Sequence, residues 1–202
     1  MLGTPRGGTS VVAGICHMLG VPMGLWIDNS NIEDRYFRDL LLSSNLRILA
    51  DKFFCELCQD NPLVGLKNPR VIEYIEEFYS TIPRPILVVV SRDEIATAQR
   101  EEVEGHDFLE SLQNIRLLKK KIFQFIECAT DPTILISYER LLQDPESTVR
   151  SLAKFIVGDV PIDLLKKTAE MVRPNADMPH DIDFVAERSH YENSLSSDQY
   201  SA

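Results

Sequence analysis

A chain of 202 residues is long enough to bury one sizeable core, and 44% hydrophobic against 26% charged residues is the balance of a soluble globular protein. The formal net charge of −10 excludes wide contact with nucleic acid or an anionic membrane, so any anion site has to be a local cationic pocket. The longest apolar runs, such as Ile86-Leu87-Val88-Val89-Val90, are far too short to span a bilayer. A glycine loop at the very N-terminus leaves no room for a signal peptide, and a cytoplasmic protein is expected.

Met1 to Gly3 offers only the stub of a first strand, and the loop Thr4-Pro5-Arg6-Gly7-Gly8-Thr9-Ser10 follows it. Gly3, Gly8 and Ser10 fit the phosphate-loop pattern G-x-x-x-x-G-K-[ST], with Thr9 standing where that pattern has lysine. Glycines let backbone amides turn toward an anion, and the helix behind them offers its positive end to the same anion. The cation here is Arg6, on the loop rather than on the helix. Without the lysine that holds the β- and γ-phosphates, ordinary NTP hydrolysis is disfavoured. A plain glycine turn before a helix would carry the same residues.

The spacing of apolar residues predicts a helix over 10–19, closed by Gly20, and then a loop over 21–31. Ser30-Asn31-Ile32-Glu33 has the S-x-x-E form of a capping box and predicts a helix from there to about residue 42. Further helices are expected over 45–59 and 71–79, with a short strand at 63–66 between them. Ile86 to Val90 is the clearest strand: apolar and unbroken, as a strand buried on both faces should be. Helices follow to about residue 104 and over 107–128, the latter with Lys119-Lys120-Lys121 as a solvated turn. Residues 133–137 read as a strand, and Asp144-Pro145 opens a helix to about 156 with a capping aspartate and proline in the first turn. A last helix covers 161–172, and the polar stretch 187–202 is expected to be a flexible tail.

Cys55-x-x-Cys58 has metal or redox spacing, yet no second ligand pair follows at a zinc-site interval, and the histidines show no metal-binding pairing. Small apolar residues on a helix face are the expected role, in a reduced intracellular protein. Strands alternating with helices predict an α/β fold: a short central parallel sheet flanked by helices in three layers, within a single domain over residues 1–186. In such a sheet ligands sit beyond the carboxyl ends of the strands. Three predicted strands release cations there, namely Arg6, then Lys67 and Arg70, then Arg92, which suggests a polyanion site.

Pro5-Arg6-Gly7-Gly8-Thr9-Ser10 resembles the 5′-phosphosulfate loop of sulfotransferases that use 3′-phosphoadenosine 5′-phosphosulfate (PAPS), a family with a P-loop-type fold. Val88-Val89-Val90-Ser91-Arg92-Asp93 is similar to the family's 3′-phosphate strand, whose arginine binds the phosphate on the ribose. Where the family has a serine eight residues later, this chain has Arg100, a residue able to hold phosphate bidentately. Lys67-Asn68-Pro69-Arg70 resembles the segment of the Golgi-type and bacterial branches whose lysine faces the sulfuryl group. Ser137-Tyr138-Glu139-Arg140-Leu141-Leu142-Gln143-Asp144-Pro145 closely matches the Y-E-x-L-x-x-D-P segment of bacterial members. The likeness runs from Gly3 to about Gly158. Arg173 and Arg188 stand in the region of the family's basic C-terminal loop.

The resemblance implies that Pro5, Arg6, Gly7, Gly8, Thr9 and Ser10 bind the 5′-phosphosulfate, and that Arg92 and Arg100 bind the 3′-phosphate. Arg6 and Lys67 would stabilise the charge that develops as the sulfuryl group moves, with PAPS as co-substrate and no metal. It also implies a carboxylate base for an acceptor hydroxyl; Glu33 is the candidate and Asp34 the second, while the capping box gives Glu33 a purely structural alternative. The acceptor class is not legible. Two rivals remain: a small-molecule P-loop kinase, which would use Asp93 as its metal-holding acid, and a degenerate nucleotide-binding protein without catalysis.

Overall fold

The computed structural model describes residues 1–25, 27–28, 32–59 and 61–173. Its centre is β3 (Leu87–Ser91), which pairs in parallel with β4 (Thr133–Ser137) from Leu87 opposite Thr133 to Ser91 opposite Ser137. On the other edge of β3 the N-terminal stub adds one parallel bridge. The Leu2 amide donates to the Val88 carbonyl at 2.8 Å, and the Val90 amide returns the bond to Leu2 at 2.8 Å. Neighbours on both sides explain why β3 is buried at Leu87 to Val90, whereas β4 leaves Leu135 55% exposed.

Successive side chains of a strand point to opposite faces, and the valine run uses both. Val88 and Val90 pack with Ile136 against α1 (Thr9–Met18), α7 (Tyr138–Gln143), α8 (Pro145–Ile156) and α9 (Ile162–Glu170). Leu87 and Val89 face the other core, built from α2 (Arg35–Leu40), α3 (Leu46–Gln59), α4 (Ile75–Phe78) and Ile122 of α6 (Phe108–Cys128). Each fully buried aliphatic side chain contributes roughly 1.5–3 kcal/mol. The expected three-layer α/β fold is what forms. Helix α5 (Glu94–Val103) joins β3 to α6. Among the described residues no helix is long and apolar enough to cross a membrane.

Several expectations need correction. Residues 63–66 form no ladder: the Gly65 amide bonds to the Pro22 carbonyl at 2.7 Å and the Leu66 carbonyl accepts from the Met1 amino group at 2.7 Å. A Cβ at Gly65 would lie 2.3 Å from Met23 Sδ, so this stretch is pressed against the 21–23 loop instead. The helix expected over 71–79 is broken into a 3-10 turn (Val71–Glu73), α4 and a second 3-10 turn (Tyr79–Thr81). The breaks keep Val71, Ile72, Ile75 and Phe78 all in the core. The helix expected from Ser30 begins only at Arg35, because Asp34 caps it through the Phe37 amide. Before it lies a small antiparallel pair, β1 (Ile27–Asp28) with β2 (Glu33–Asp34), inside and just beyond the expected loop. Ser30, the 187–202 tail and Arg188 lie outside the described residues.

Phe37 is what holds this corner. It stacks on Phe53 at 5.3 Å between ring centres and meets the edges of Phe54 and Phe78 at 5.9 and 5.7 Å. Truncating such a residue to alanine costs about 3–5 kcal/mol. The aromatic cluster therefore fixes the start of α2, and with it the two carboxylates of β2.

Candidate functional site

The glycine loop leaves the stub at Gly3 and enters α1 at Gly8. Gly8 has φ +88°, a left-handed conformation, and a Cβ there would fall 2.2 Å from Cδ2 of Tyr138. Glycine is thus required twice over, by backbone and by contact. Arg6 also takes a left-handed turn, φ +55°. The first turn of α1 holds no acidic residue, and its leading amides have no intrahelical acceptors, so this end of α1 faces the loop with partial positive charge.

Tyr138 opens α7 directly after β4, and its ring is shared. Gly8 lies against it, and the Arg92 guanidinium sits over the ring 5.0 Å from its centre, a cation–π contact. Arg92 also donates to the Arg6 carbonyl at 3.0 Å. Glu139 completes the joint: one oxygen accepts from the Asp93 amide at 2.7 Å and the other from the Ser137 hydroxyl at 3.1 Å. The Tyr138-Glu139 pair therefore ties the ends of β3 and β4 to the loop. Lys119 belongs to the same joint. Rather than a solvated turn, its ammonium is largely covered and donates to the Arg92 carbonyl at 2.5 Å. No sequence feature separates it from Lys120 and Lys121; only the register of α6 against β3 does.

On the far side of the loop three expected site residues meet. The Lys67 ammonium donates to Glu33 Oε1 at 2.7 Å and to Ser10 Oγ at 3.1 Å. The Lys67 side chain is 2% exposed and that of Glu33 12%. Burial holds the Lys67 ammonium below the usual lysine value, Glu33 opposes that shift, and the charge of Arg6 adds a smaller lowering. Lys67 is aimed inward because Asn68 turns the chain: its Oδ1 accepts the Arg70 amide at 2.9 Å and its carbonyl accepts the Val71 amide.

Glu33 lies on β2, ahead of the helix, so the capping-box role falls away and Asp34 takes it. Asp34 is 1% exposed and both its oxygens are used, Oδ1 by the Phe37 amide at 2.8 Å and Oδ2 by the Leu25 amide at 2.7 Å. Arg6 is drawn away from this cluster, pairing with Glu104 and, at 3.7 Å, Glu101 at the end of α5. Thr9 is buried at the head of α1, its methyl against Gly3, while Pro5 and Gly7 shape the loop, the Gly7 amide bonding to the Thr4 carbonyl at 3.0 Å. Arg100 is exposed in the last turn of α5 with no hydrogen bond or ion pair to a described residue. Arg173 is exposed beyond α9. Asp93 caps α5, its Oδ1 accepting the Ala96 amide at 2.8 Å. All four cysteines are free thiols. Cys16 is buried in α1 with its pKa pushed up by burial to about 12, whereas Cys55 is exposed rather than part of a core face.

No family model matches this chain, and no curated protein matches it. Among solved structures, the sulfotransferase domain from the Synechococcus PCC 7002 olefin synthase superposes with a TM-score of 0.57 at 14% identity. The match covers 87% of this chain and 88% of that one. The chain has a sulfotransferase-like α/β fold, of the P-loop type.

Proposed function

We propose that this protein transfers a sulfuryl group from PAPS to an acceptor hydroxyl without a metal. The observation that carries the reading is Lys67, a buried ammonium joining Ser10 of the phosphate-type loop to the carboxylate of Glu33. The loop fits the donor: left-handed Gly8, the leading amides of α1 and the Thr9 and Ser10 hydroxyls form a cradle for a 5′-phosphosulfate. Arg92, over the Tyr138 ring at the neighbouring strand end, would bind the 3′-phosphate, with Arg100, exposed in the last turn of α5, as the second candidate for it.

Bound PAPS would supply an activated sulfur: the acceptor oxygen's lone pair would form the new O–S bond while the pair of the broken bond stays on the 5′-phosphate oxygen of the departing bisphosphate. Glu33 takes the hydroxyl proton. Lys67 turns its charge from Glu33 toward the sulfonate and bridging oxygens, a cation held close to where negative charge develops. Arg6 adds to this on leaving Glu104. The kinase alternative would use Asp93 to hold a metal; here one of its two oxygens, Oδ1, accepts the Ala96 amide at the start of α5.

3′,5′-Bisphosphoadenosine should raise the melting temperature without metal and more than AMP does, and Arg92→Ala should erase most of that preference. A charge-assisted contact of about 1.5–3 kcal/mol makes the preference roughly ten- to a hundredfold in Kd. Stabilisation by ATP with Mg²⁺ but not by the bisphosphate would overturn the proposal.

A further inference from the structure

A cavity of about 310 Å³ opens beside Glu33. Pro5, Leu41, Leu42, Pro69 and Tyr74 give it an apolar wall, and Arg38 and Arg70 line it as well. Two local causes bring the arginines there. Phe37 and Leu40 bury the inner side of α2 and turn Arg38 outward, and the Asn68-Pro69 turn that sends Lys67 inward leaves Arg70 on the opposite side.

The acids on this cavity are Glu33, which Lys67 already engages, and Asp39. Arg38 Nε lies 3.6 Å from Asp39 Oδ1, and Arg70 Nε lies 3.7 Å from Glu73 Oε1. Both separations exceed a hydrogen bond, and the arginine side chains are about half exposed, so these pairs hold them weakly. Neither guanidinium donates a hydrogen bond to a described residue. Two planar forks suited to a carboxylate thus stand at a cavity that ends on the proposed base. In a chain of net charge −10 an anion has to be held by a local group of cations, and these two line one cavity.

We infer that this cavity receives the acceptor and that the acceptor is a small hydroxy acid, its hydroxyl at Glu33 and its carboxylate at Arg38 and Arg70. The volume is at the small end for ligand pockets, and the leucine, proline and tyrosine walls suit a ring or short alkyl body between the two polar ends. The inference rests on the sulfuryl-transfer reading, which supplies the role of Glu33.

Its test is a titration of 4-hydroxybenzoate, 4-hydroxyphenylacetate and 3-hydroxybutyrate, each beside its methyl ester, followed by protein NMR with and without saturating 3′,5′-bisphosphoadenosine. At least one acid should bind roughly ten- to a hundredfold more tightly than its ester. Arg38→Met and Arg70→Met should each shrink that ratio while leaving the ester's Kd and the melting temperature in place. The inference is overturned if no acid exceeds its ester, or if the ratio survives in the double variant. Bisphosphate binding is scored in the same samples: its absence counts against the donor reading alone, whereas a lost acid preference beside intact bisphosphate binding counts against the pocket alone.

Discussion

The two sides of the loop are held together by different physics. Toward β3 and β4 the parts are fixed by shape and by bonds to neutral backbone: Gly8 against a tyrosine ring, Arg92 over that ring, and the charged Lys119 and Glu139 bonded to backbone groups of Arg92 and Asp93. Toward β2 they are fixed by charge, with a buried lysine between a carboxylate and a hydroxyl. A shape-fixed rim suits a ligand whose phosphates never change position. A charge-fixed one can exchange partners as charge moves during a reaction.

The comparison is most open to attack at Glu33. Glu33→Gln should lower sulfuryl transfer by at least roughly a hundredfold. It should also destabilise the fold, by up to about 3 kcal/mol, because the buried Lys67 charge loses its counter-charge. Adding Lys67→Met should restore much of the stability and none of the transfer. Denaturant midpoints and labelled-sulfuryl transfer, measured on the single and double variants, report the two effects separately. Normal turnover in Glu33→Gln would remove Glu33 from the chemistry.

The opposite side should fail sterically. Gly8→Ala puts a methyl group 2.2 Å from Tyr138 Cδ2 and forces alanine to φ +88°. We expect a loss of about 1–3 kcal/mol and no bisphosphate-induced rise in melting temperature. Tyr138→Phe, which keeps the ring, should bind bisphosphate as the wild type does. An alanine variant that still binds bisphosphate normally would mean that the loop does not need this contact.

The smallest effect is a pH slope. Burial lowers the Lys67 pKa in the folded chain below 10.5. Between the lowered value and 10.5 the unfolded chain therefore holds a proton that the folded chain lacks, and the contribution of Lys67 to stability rises with pH. Cys16 works in the opposite sense from pH 9 to about 12, since its folded thiol keeps a proton that the unfolded chain releases. The quantity to measure is thus wild type minus Lys67→Met, whose stability difference should shift in favour of the wild type as pH rises through that window. A flat difference would show that Lys67 is not desolvated.

Much of the shape-fixed side was legible in the sequence, because local rules govern it: the glycine pattern, the apolar run of β3 and the Asp144-Pro145 helix start all lie within a few residues of what they determine. The roles of Tyr138, Glu139 and Lys119 were not, since each acts on a backbone distant in sequence. The charge-fixed side is less legible. Ser30 and Glu33 satisfy the capping-box spacing, yet Asp34 wins the cap because Phe37 must reach Phe53, Phe54 and Phe78. Tertiary packing moved a helix start by several residues and released Glu33 to meet Lys67. The strand expected at 63–66 failed for a related reason: Gly65 lies so close to Met23 that the stretch follows the 21–23 loop.

The contact of Gly8 with Tyr138 also bears on the order in which the chain acquires structure. Its two residues lie far apart in sequence, and closing so long an interval is a slow, entropically opposed step. Helices such as α3 and α6 draw on neighbours and can form early. The contact of Gly8 with the Tyr138 ring cannot form until β4 is seated and α7 begins. A refolding chain would accordingly regain helicity before the glycine loop closes on its ring, and a nascent one could not close that contact until Tyr138 had left the ribosome.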